Sequence, residues 1–215
     1  MTGQEDSAES LVAQAVRRRT GDRYAAAEHE VRRILDVGLA LMREDPDGNP
    51  KIADIVRRAG VSNDAFYRAF RSKHDLMAAI VDDGSRRLLD YVRHQRDKAD
   101  DPLGKIRACV VAVLQQAANP EVARTTRAVL RHTQGAPTSH APTVLVRERI
   151  AELLAESLAE RGSPDPARDA MVGACAAFSL MEQFLWTQRT PSDADVDHVV
   201  AWISRTGPGG SVSLS

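Results

Sequence analysis

The chain has 215 residues, enough for one large or two small domains, and its 43% hydrophobic and 27% charged residues are the balance of a globular protein with a buried core. Its formal net charge of −1 excludes a protein that attracts nucleic acid through its overall charge. No apolar run approaches the roughly 20 residues that cross a bilayer, and the polar, acidic start MTGQEDSAES is unlike a secretion signal, so we expect a cytoplasmic protein without membrane contact.

Helical patterns dominate the chain. Aromatic residues make up only 4% of it, and no alternating apolar pattern leads into a hairpin turn. This composition favours an all-α fold. We expect residues 1–22 to form a flexible arm, with at most a turn or two of helix in LVAQAVRRR.

The first structural helix is predicted from Tyr24 to Glu44. An apolar stripe at helical spacing supports it, formed by Val31, Ile34, Leu35, Gly38, Leu39 and Met42. Gly38 stands in the middle of this helix, where glycine is unfavourable by about 1 kcal/mol relative to alanine. We therefore expect another helix to approach closely at Gly38.

A short helix follows. Asn49 is a suitable N-cap, and Pro50 suits the first helical position, which needs no N–H group. The apolar face consists of Ile52, Ile55, Val56 and Ala59. Gly60 should end this helix, because glycine takes positive φ at little cost.

A second short helix is predicted to begin after Ser62, which caps it. Phe66 and Phe70 lie four residues apart and should anchor one face, which leaves the intervening polar residues outside. Ser72 can cap a further helix, with Lys73 in its first turn. Helix, tight turn and helix in this arrangement are typical of a helix-turn-helix, whose second helix reads the DNA major groove.

The stretch from Lys51 to Lys73 is locally basic. It contains six basic residues and two acidic residues, a net charge of +4. The six basic residues are Lys51, Arg57, Arg58, Arg68, Arg71 and Lys73. A positive patch of this kind can neutralise a few phosphates. For Arg57 and Arg58 we favour the alternative that they are the solvated C-terminal end of a helix.

The segment AGVSNDAFYRAFRSKHDL resembles the signature of the TetR family of bacterial transcriptional regulators, with Ala-Gly-Val-Ser, a Tyr preceded by an apolar residue, a Phe three residues later and Ser-Lys. The resemblance covers about the first third of the chain. It implies a three-helix DNA-binding domain with a helix-turn-helix (residues 23–75), a larger helical ligand-binding and dimerisation domain (76–206) and a disordered tail (207–215).

The motif positions assign candidate roles. Asn63, Asp64 and Ala65 would face base edges, where Asn suits adenine, Asp suits cytosine N4 and the Ala methyl suits thymine. Arg68 could reach a guanine or a phosphate; Asp64 could instead only cap the helix. The resemblance implies phosphate contacts for Tyr67 and Lys73. The candidate DNA-binding residues are Lys51, Ser62, Asn63, Asp64, Ala65, Tyr67, Arg68 and Lys73. The arm with Arg17, Arg18 and Arg19 is either a minor-groove contact or a solvated tail.

A long connecting helix is predicted from His74 to about Lys98, and five amphipathic helices should follow it. Their boundaries are marked by Pro or Gly at Asp101-Pro102, Asn119-Pro120, Gly135-Ala136-Pro137, Gly162-Ser163-Pro164 and Thr190-Pro191. Cys109 and Cys175 are isolated within apolar stretches, and we interpret both as reduced core residues.

The helix from Asp165 to Arg189 is apolar over most of its circumference, so it must be covered on nearly all sides. Its small residues Gly173, Ala174, Ala176 and Ala177 would admit another helix closely. The resemblance implies a dimer interface from this helix and residues 192–205, with Trp186 and Trp202 as anchors. The alternative is the centre of the monomer core.

Catalysis is not expected, because the sequence has no HExxH motif, no glycine-rich phosphate loop and no Cys/His pairs at metal spacing. We expect no cofactor and no metal. The resemblance implies a repressor that binds a pseudo-palindromic operator as a homodimer and responds to a small-molecule effector of unknown identity. Cys109, Met171, Phe178 and Trp186 could line its pocket, but for each of them we favour core packing. A helical small-molecule sensor without operator binding is the alternative.

Overall fold

The computed structural model describes residues 11–45, 50–133 and 140–205. Within these ranges the chain is all-α, with nine helices and no strand. The helices are α1 (Leu11–Glu44), α2 (Ile52–Ala59), α3 (Asn63–Ala69), α4 (Lys73–Arg96), α5 (Pro102–Ala118), α6 (Pro120–Thr133), α7 (His140–Glu160), α8 (Pro166–Thr187) and α9 (Asp193–Ser204). The connecting helix and the five helices behind it confirm the prediction. The Gly135–Pro137 boundary and the tail 207–215 lie outside the described residues.

Two predicted helix starts are wrong. Helix α1 begins at Leu11, not Tyr24, because nothing between these positions breaks it: Gly21 has open space around it, and one glycine costs a helix only about 1 kcal/mol. Helix α2 begins at Ile52 rather than Pro50. Its N-cap is Lys51, whose backbone is extended, so the helix cannot include the preceding proline. Asn49, the predicted cap, lies outside the described residues.

Buried side chains form two separate clusters. The head core contains Ile34, Met42, Ile55, Val56, Ala59, Phe66, Phe70, Leu76, Met77, Ile80 and Ala128. The body core is built from α5, α7, α8 and α9, with contributions from the end of α4 and the start of α6. We call the unit formed by α1, α2, α3 and the start of α4 the head, and the remaining helices the body. A larger helical unit therefore follows an N-terminal helix-turn-helix unit.

Helix α1 crosses α4 closely at Gly38. A Cβ atom added to Gly38 would lie 3.0 Å from Ile80 Cδ1 and 3.4 Å from Leu76 Cδ2. Space for the facing side chains therefore explains a glycine in the middle of α1, as predicted.

The head and the body share more than the continuous helix α4. Ala128 belongs to α6, yet its side chain is 0% exposed within the head core. Arg43 of α1 donates to Glu121 of α6 over 2.8 Å, and α6 in turn reaches α8, where Arg127 donates to the backbone carbonyl of Leu185 over 3.2 Å. Helix α6 therefore contacts the head on one side and α8 on the other.

The two cysteines differ in environment. Cys109 is buried in the body core, and this burial raises the pKa of its thiol to about 12, which keeps it protonated. It is a core residue, as predicted. Cys175 is also a free thiol but only half-buried on α8, so its assignment to the core is wrong.

Candidate nucleic-acid interface

Helix α3 is held from behind by aromatic side chains. Phe66 is fully buried and Phe70 nearly so, and their ring centroids lie 5.7 Å apart. The Ser62 hydroxyl oxygen accepts a hydrogen bond from the Ala65 backbone N–H over 3.0 Å, which caps the helix as predicted. These contacts fix a helix of only seven residues on the head.

The outer face of α3 is polar. Asn63, Asp64, Tyr67 and Arg68 are exposed, as the sequence predicts. The Asp64 carboxylate makes no hydrogen bond to any other described residue, whereas Ser62 supplies the cap. The geometry therefore does not give Asp64 the alternative role of a cap.

The prediction that Ala65 faces a base edge is wrong. Its side chain is 3% exposed, so it cannot present a methyl group to a thymine. The helical rotation places Ala65 beside Phe66 on the inner side of α3, where a small residue lets the helix lie close to the head core.

Tyr67 combines a fixed ring with a free hydroxyl group. Its ring meets the edge of Phe66 at a centroid distance of 5.4 Å and an angle of 85°. The side chain is 54% exposed, and its hydroxyl has no partner among the described residues. It can therefore donate a hydrogen bond to a group outside the protein.

Lys73 lies in the first turn of α4, directly after the short loop that follows α3. Two hydrogen bonds order the start of this helix: Ser72 accepts from the Asp75 N–H over 3.2 Å, and the Asp75 carboxylate accepts from the Arg71 N–H over 3.0 Å. Lys73 is half-buried without an ion pair to any described residue, and this burial lowers the pKa of its ammonium group. A cation at the positive end of a helix dipole is suited to an external anion.

The other basic residues divide into paired and unpaired groups. Arg57 is paired with Asp54 at 2.7 Å, and Arg58 binds both carboxylate oxygens of Glu44 at 2.5 Å, which lowers the pKa of Glu44 through hydrogen bonding. Both arginines lie in the last turn of α2 and are paired within the protein, in agreement with our interpretation that they are the solvated C-terminal end of a helix.

Lys51 and Arg71 are exposed, and within the described ranges neither side chain has an ion-pair partner. Arg68 lies 4.0 Å from Glu30. Sequence reasoning left Arg71 out of the candidate residues because it falls in no motif position. The charge count over Lys51 to Lys73 is the signal that includes it.

A cavity of about 440 Å³ lies where the head meets the body. Of the four residues suggested for a pocket, Phe178 lines this cavity, and Cys109, Met171 and Trp186 do not. Met171 and Trp186 instead lie exposed on α8. Periodicity could not reveal this, because the cavity depends on the distance between α1, α4 and α6.

Two further observations concern the described residues. They contain no group of three or more His, Cys, Asp or Glu side chains placed to hold a metal ion. No helix among them is both long enough and apolar enough to cross a membrane.

Comparison with known proteins identifies the head. Residues 34–80 match the family model for bacterial regulatory proteins of the tetR family. This range covers the second part of α1, all of α2 and α3, and the start of α4. No curated protein matches the chain closely.

The fold of most of the chain is shared with solved structures. A TetR-family transcriptional regulator from Streptomyces coelicolor is 21% identical, with a TM-score of 0.61 over 81% of this chain and 96% of that one. The fatty acid degradation regulator FadR from Bacillus halodurans is 20% identical, with a TM-score of 0.64 over 81% and 94%. RolR in complex with the ligand resorcinol is 15% identical, with a TM-score of 0.60 over 86% and 90%.

The family model for bacterial regulatory proteins of the tetR family therefore matches the helices that carry the polar surface of α3, and most of the chain has the same fold as solved TetR-family regulators.

Proposed function

We propose that this protein is a repressor that binds a pseudo-palindromic DNA operator as a homodimer and releases it when a small molecule binds. The observation that carries the proposal is the outer face of α3, which is anchored from behind by Phe66 and Phe70. There Asn63, Asp64 and Tyr67 are exposed and have no side-chain partner among the described residues. A short helix of this kind fits the major groove. DNA binding also implies the cytoplasm as the site of action.

Within this proposal, the DNA-binding residues divide by task. Asn63 and Asp64, at the start of α3, would contact base edges, and Arg68 a guanine or a phosphate. Lys51, Tyr67 and Lys73 would bind phosphates and fix the docking register, and Arg71 joins this group because its guanidinium is exposed and unpaired. Ser62 caps α3 and can still donate its hydroxyl proton. We propose residues 23–75 as the DNA-binding domain and 76–206 as the domain for ligand and partner.

The proposal of a dimer is supported by an apolar surface on α8 and α9. Met171, Val172 and Trp186 of α8 and Trp202 of α9 are each more than a third exposed within the protomer. The small residues of α8 admit another helix closely, as predicted, and that helix is α9 of the same protomer: a Cβ atom on Gly173 would lie 3.0 Å from Ile203 Cγ1. Exposed aromatic and aliphatic side chains on adjacent helices are typical of an interface.

The ligand response is supported by the position of the cavity between head and body. A ligand there can favour one position of the head over another, and DNA release follows if that position misaligns the two recognition helices. The crystal structure of RolR, which shares the fold, contains the ligand resorcinol, and this supports a small organic effector for the present chain.

A binding titration tests the proposal directly. Full-length protein is titrated into labelled DNA from upstream of its own gene, and we expect a salt-sensitive complex with a footprint of two half-sites about 34 Å apart. The double variant Tyr67→Phe/Lys73→Ala should lose most of the affinity. Lys98→Ala, which removes an exposed cation at the far end of α4, is the matched control and should bind normally.

The same titration separates the alternative, a helical small-molecule sensor without operator binding. Such a sensor would show the same weak affinity for all DNA, with or without the α3 and α4 substitutions. A transcription assay on the bound promoter then distinguishes repression from activation.

A further inference from the structure

The cavity at the junction has an apolar interior shared by the head and the body. Leu35 and Leu39 come from α1, Val129 from α6 and Phe178 from α8. Helix α4 adds Tyr91 along one wall. A volume of about 440 Å³ is within the usual range for a small organic ligand, roughly 300–1,000 Å³.

The charged groups of the cavity are unequally satisfied. Its two arginines are each paired with an acid that also lines it: Arg43 lies 2.8 Å from Glu121, and Arg87 lies 2.8 Å from Asp83. Asp83 is bound in addition by Arg32 of α1 at 2.7 Å. Both cations of the lining are therefore neutralised within the protein.

Two lining carboxylates have no hydrogen-bonded cation among the described residues. Asp36 of α1 is exposed and forms no ion pair or hydrogen bond with another described residue; it acts only through its charge on Arg32, which is hydrogen-bonded to Asp83. Glu182 of α8 has Arg147 at 3.8 Å, beyond hydrogen-bond distance. The Arg147 guanidinium instead lies over the Phe178 ring, 5.2 Å from its centroid.

We infer that this cavity binds an organic cation with an apolar body, whose positive group lies beside Asp36. The inference rests on the proposed function for its regulatory consequence. The apolar body of the ligand is removed from water when it packs against the leucine, valine and phenylalanine side chains. The cation pairs with the Asp36 carboxylate, which has no ion-pair partner among the described residues. An anionic ligand would instead meet two acids and no unpaired cation.

The position of Asp36 gives the ligand a direct effect on the head. Asp36 belongs to α1 of the head, whereas Phe178 and Glu182 belong to α8 of the body. A cation held at Asp36 with its apolar part against α6 and α8 therefore joins the two units. Such a ligand favours the arrangement of head and body in which these groups converge.

Calorimetric titration of the full-length protein tests the inference with three probes that share one body. Phenylbutylamine carries a cation at neutral pH, phenylbutyrate an anion and phenylbutanol no charge. We expect the amine to bind more tightly than the other two by up to about fivefold, the upper end of what one exposed ion pair contributes. Asp36→Asn should remove this preference and leave the affinity for phenylbutanol unchanged.

Gly84 supplies the variants that locate the site. It lines the cavity, and a Cβ atom at this position meets nothing within 4 Å. Gly84→Phe should therefore fill the space and abolish binding of the amine, whereas Gly84→Ala should keep it. Thermal unfolding of both variants shows whether each is folded.

Equal affinities for the three probes, tighter binding of phenylbutyrate or no binding at all would overturn the assignment of a cation. Unchanged binding of the amine to folded Gly84→Phe would overturn the location. Binding of the amine as expected, by a protein that binds no DNA in the separate titration, would support the cavity assignment and overturn the proposed function.

Discussion

Lys73 carries a charge that no interaction among the described residues compensates. It is a half-buried ammonium group in the first turn of α4, where the helix dipole is positive, and none of the described acids pairs with it. Loss of water lowers the pKa of this group, so its charged form is less stable here than in water. A phosphate oxygen at this position would supply the missing negative charge and the missing hydrogen bond.

We therefore expect Lys73→Ala to weaken binding to all DNA sequences alike. The slope of log K against log salt should become shallower by about 1, because one fewer counterion is released. Anisotropy titrations at several salt concentrations measure both quantities, with Lys98→Ala as control. A slope equal to that of the unmodified protein would exclude a phosphate contact.

Asn63 is expected to behave differently, because its exposed amide can read a base edge. Asn63→Ala should reduce discrimination at one base-pair position by about 1–3 kcal/mol and leave the salt slope unchanged. Selection of binding sites from a randomised DNA pool measures the preference. An identical selected sequence, from a variant with the unfolding temperature of the parent, would contradict base reading by Asn63.

Two glycines, one at the end of α2 and one inside α4, should respond in opposite ways to substitution by alanine. Gly60 ends α2 with φ at +64°, a conformation that is unfavourable for alanine by about 1–2 kcal/mol. Gly84 lies inside α4 with open space around it, so alanine there should stabilise the helix by about 1 kcal/mol.

Urea unfolding of Gly60→Ala and Gly84→Ala should therefore shift the midpoint in opposite directions, downward for the first and upward for the second. Each variant serves as control for the other, since the chemical change is the same. A lower midpoint for Gly84→Ala would mean that the space beside α4 is filled in solution, which would also bear on the cavity.

The elements were predictable where local interactions decide them. Asp101 caps α5, and Ser62, Ser72 and Ser192 cap α3, α4 and α9; these residues and the neighbouring prolines can be read from the sequence. Ala65 could not be placed correctly, because a small apolar residue suits either side of a short helix and only the packing of Phe66 decides. The extension of α1 to Leu11 was missed for a different reason: the sequence from Arg17 to Arg23 has no apolar residue, so no apolar stripe continues from Tyr24 back to the start of the helix.

The candidate site was predictable in its residue types and only partly in its geometry. The exposure of Asn63, Asp64, Tyr67 and Arg68 follows from the spacing of Phe66 and Phe70. The pairing of Arg58 with Glu44 joins residues 14 positions apart across a loop, which no local pattern contains. The cavity could not be predicted from a local pattern either, since its walls come from helices that are distant in sequence.

For the whole molecule, we expect a dimer that is formed through the exposed apolar surface of α8 and α9. Val172 is 46% exposed and lies beside Met171 on the same helix. Val172→Glu should place a charge in the proposed interface and convert the dimer to a monomer, with loss of high-affinity binding to a two-half-site operator.

Sedimentation velocity measures this change, with Leu103→Glu as the matched substitution. Leu103 is similarly exposed, at 39%, but lies at the start of α5. A dimer that persists in Val172→Glu, or that dissociates equally in Leu103→Glu, would place the interface elsewhere.

Ala128 sets a limit on how this protein can be divided. Its methyl group belongs to α6 but completes the interior of the head, with Val129 packed beside it. A fragment cut after α4 would lack that methyl group and expose the apolar surface that it covers. Chimeras that exchange recognition units between relatives should therefore carry α6 along with the first four helices, or change the face that receives it.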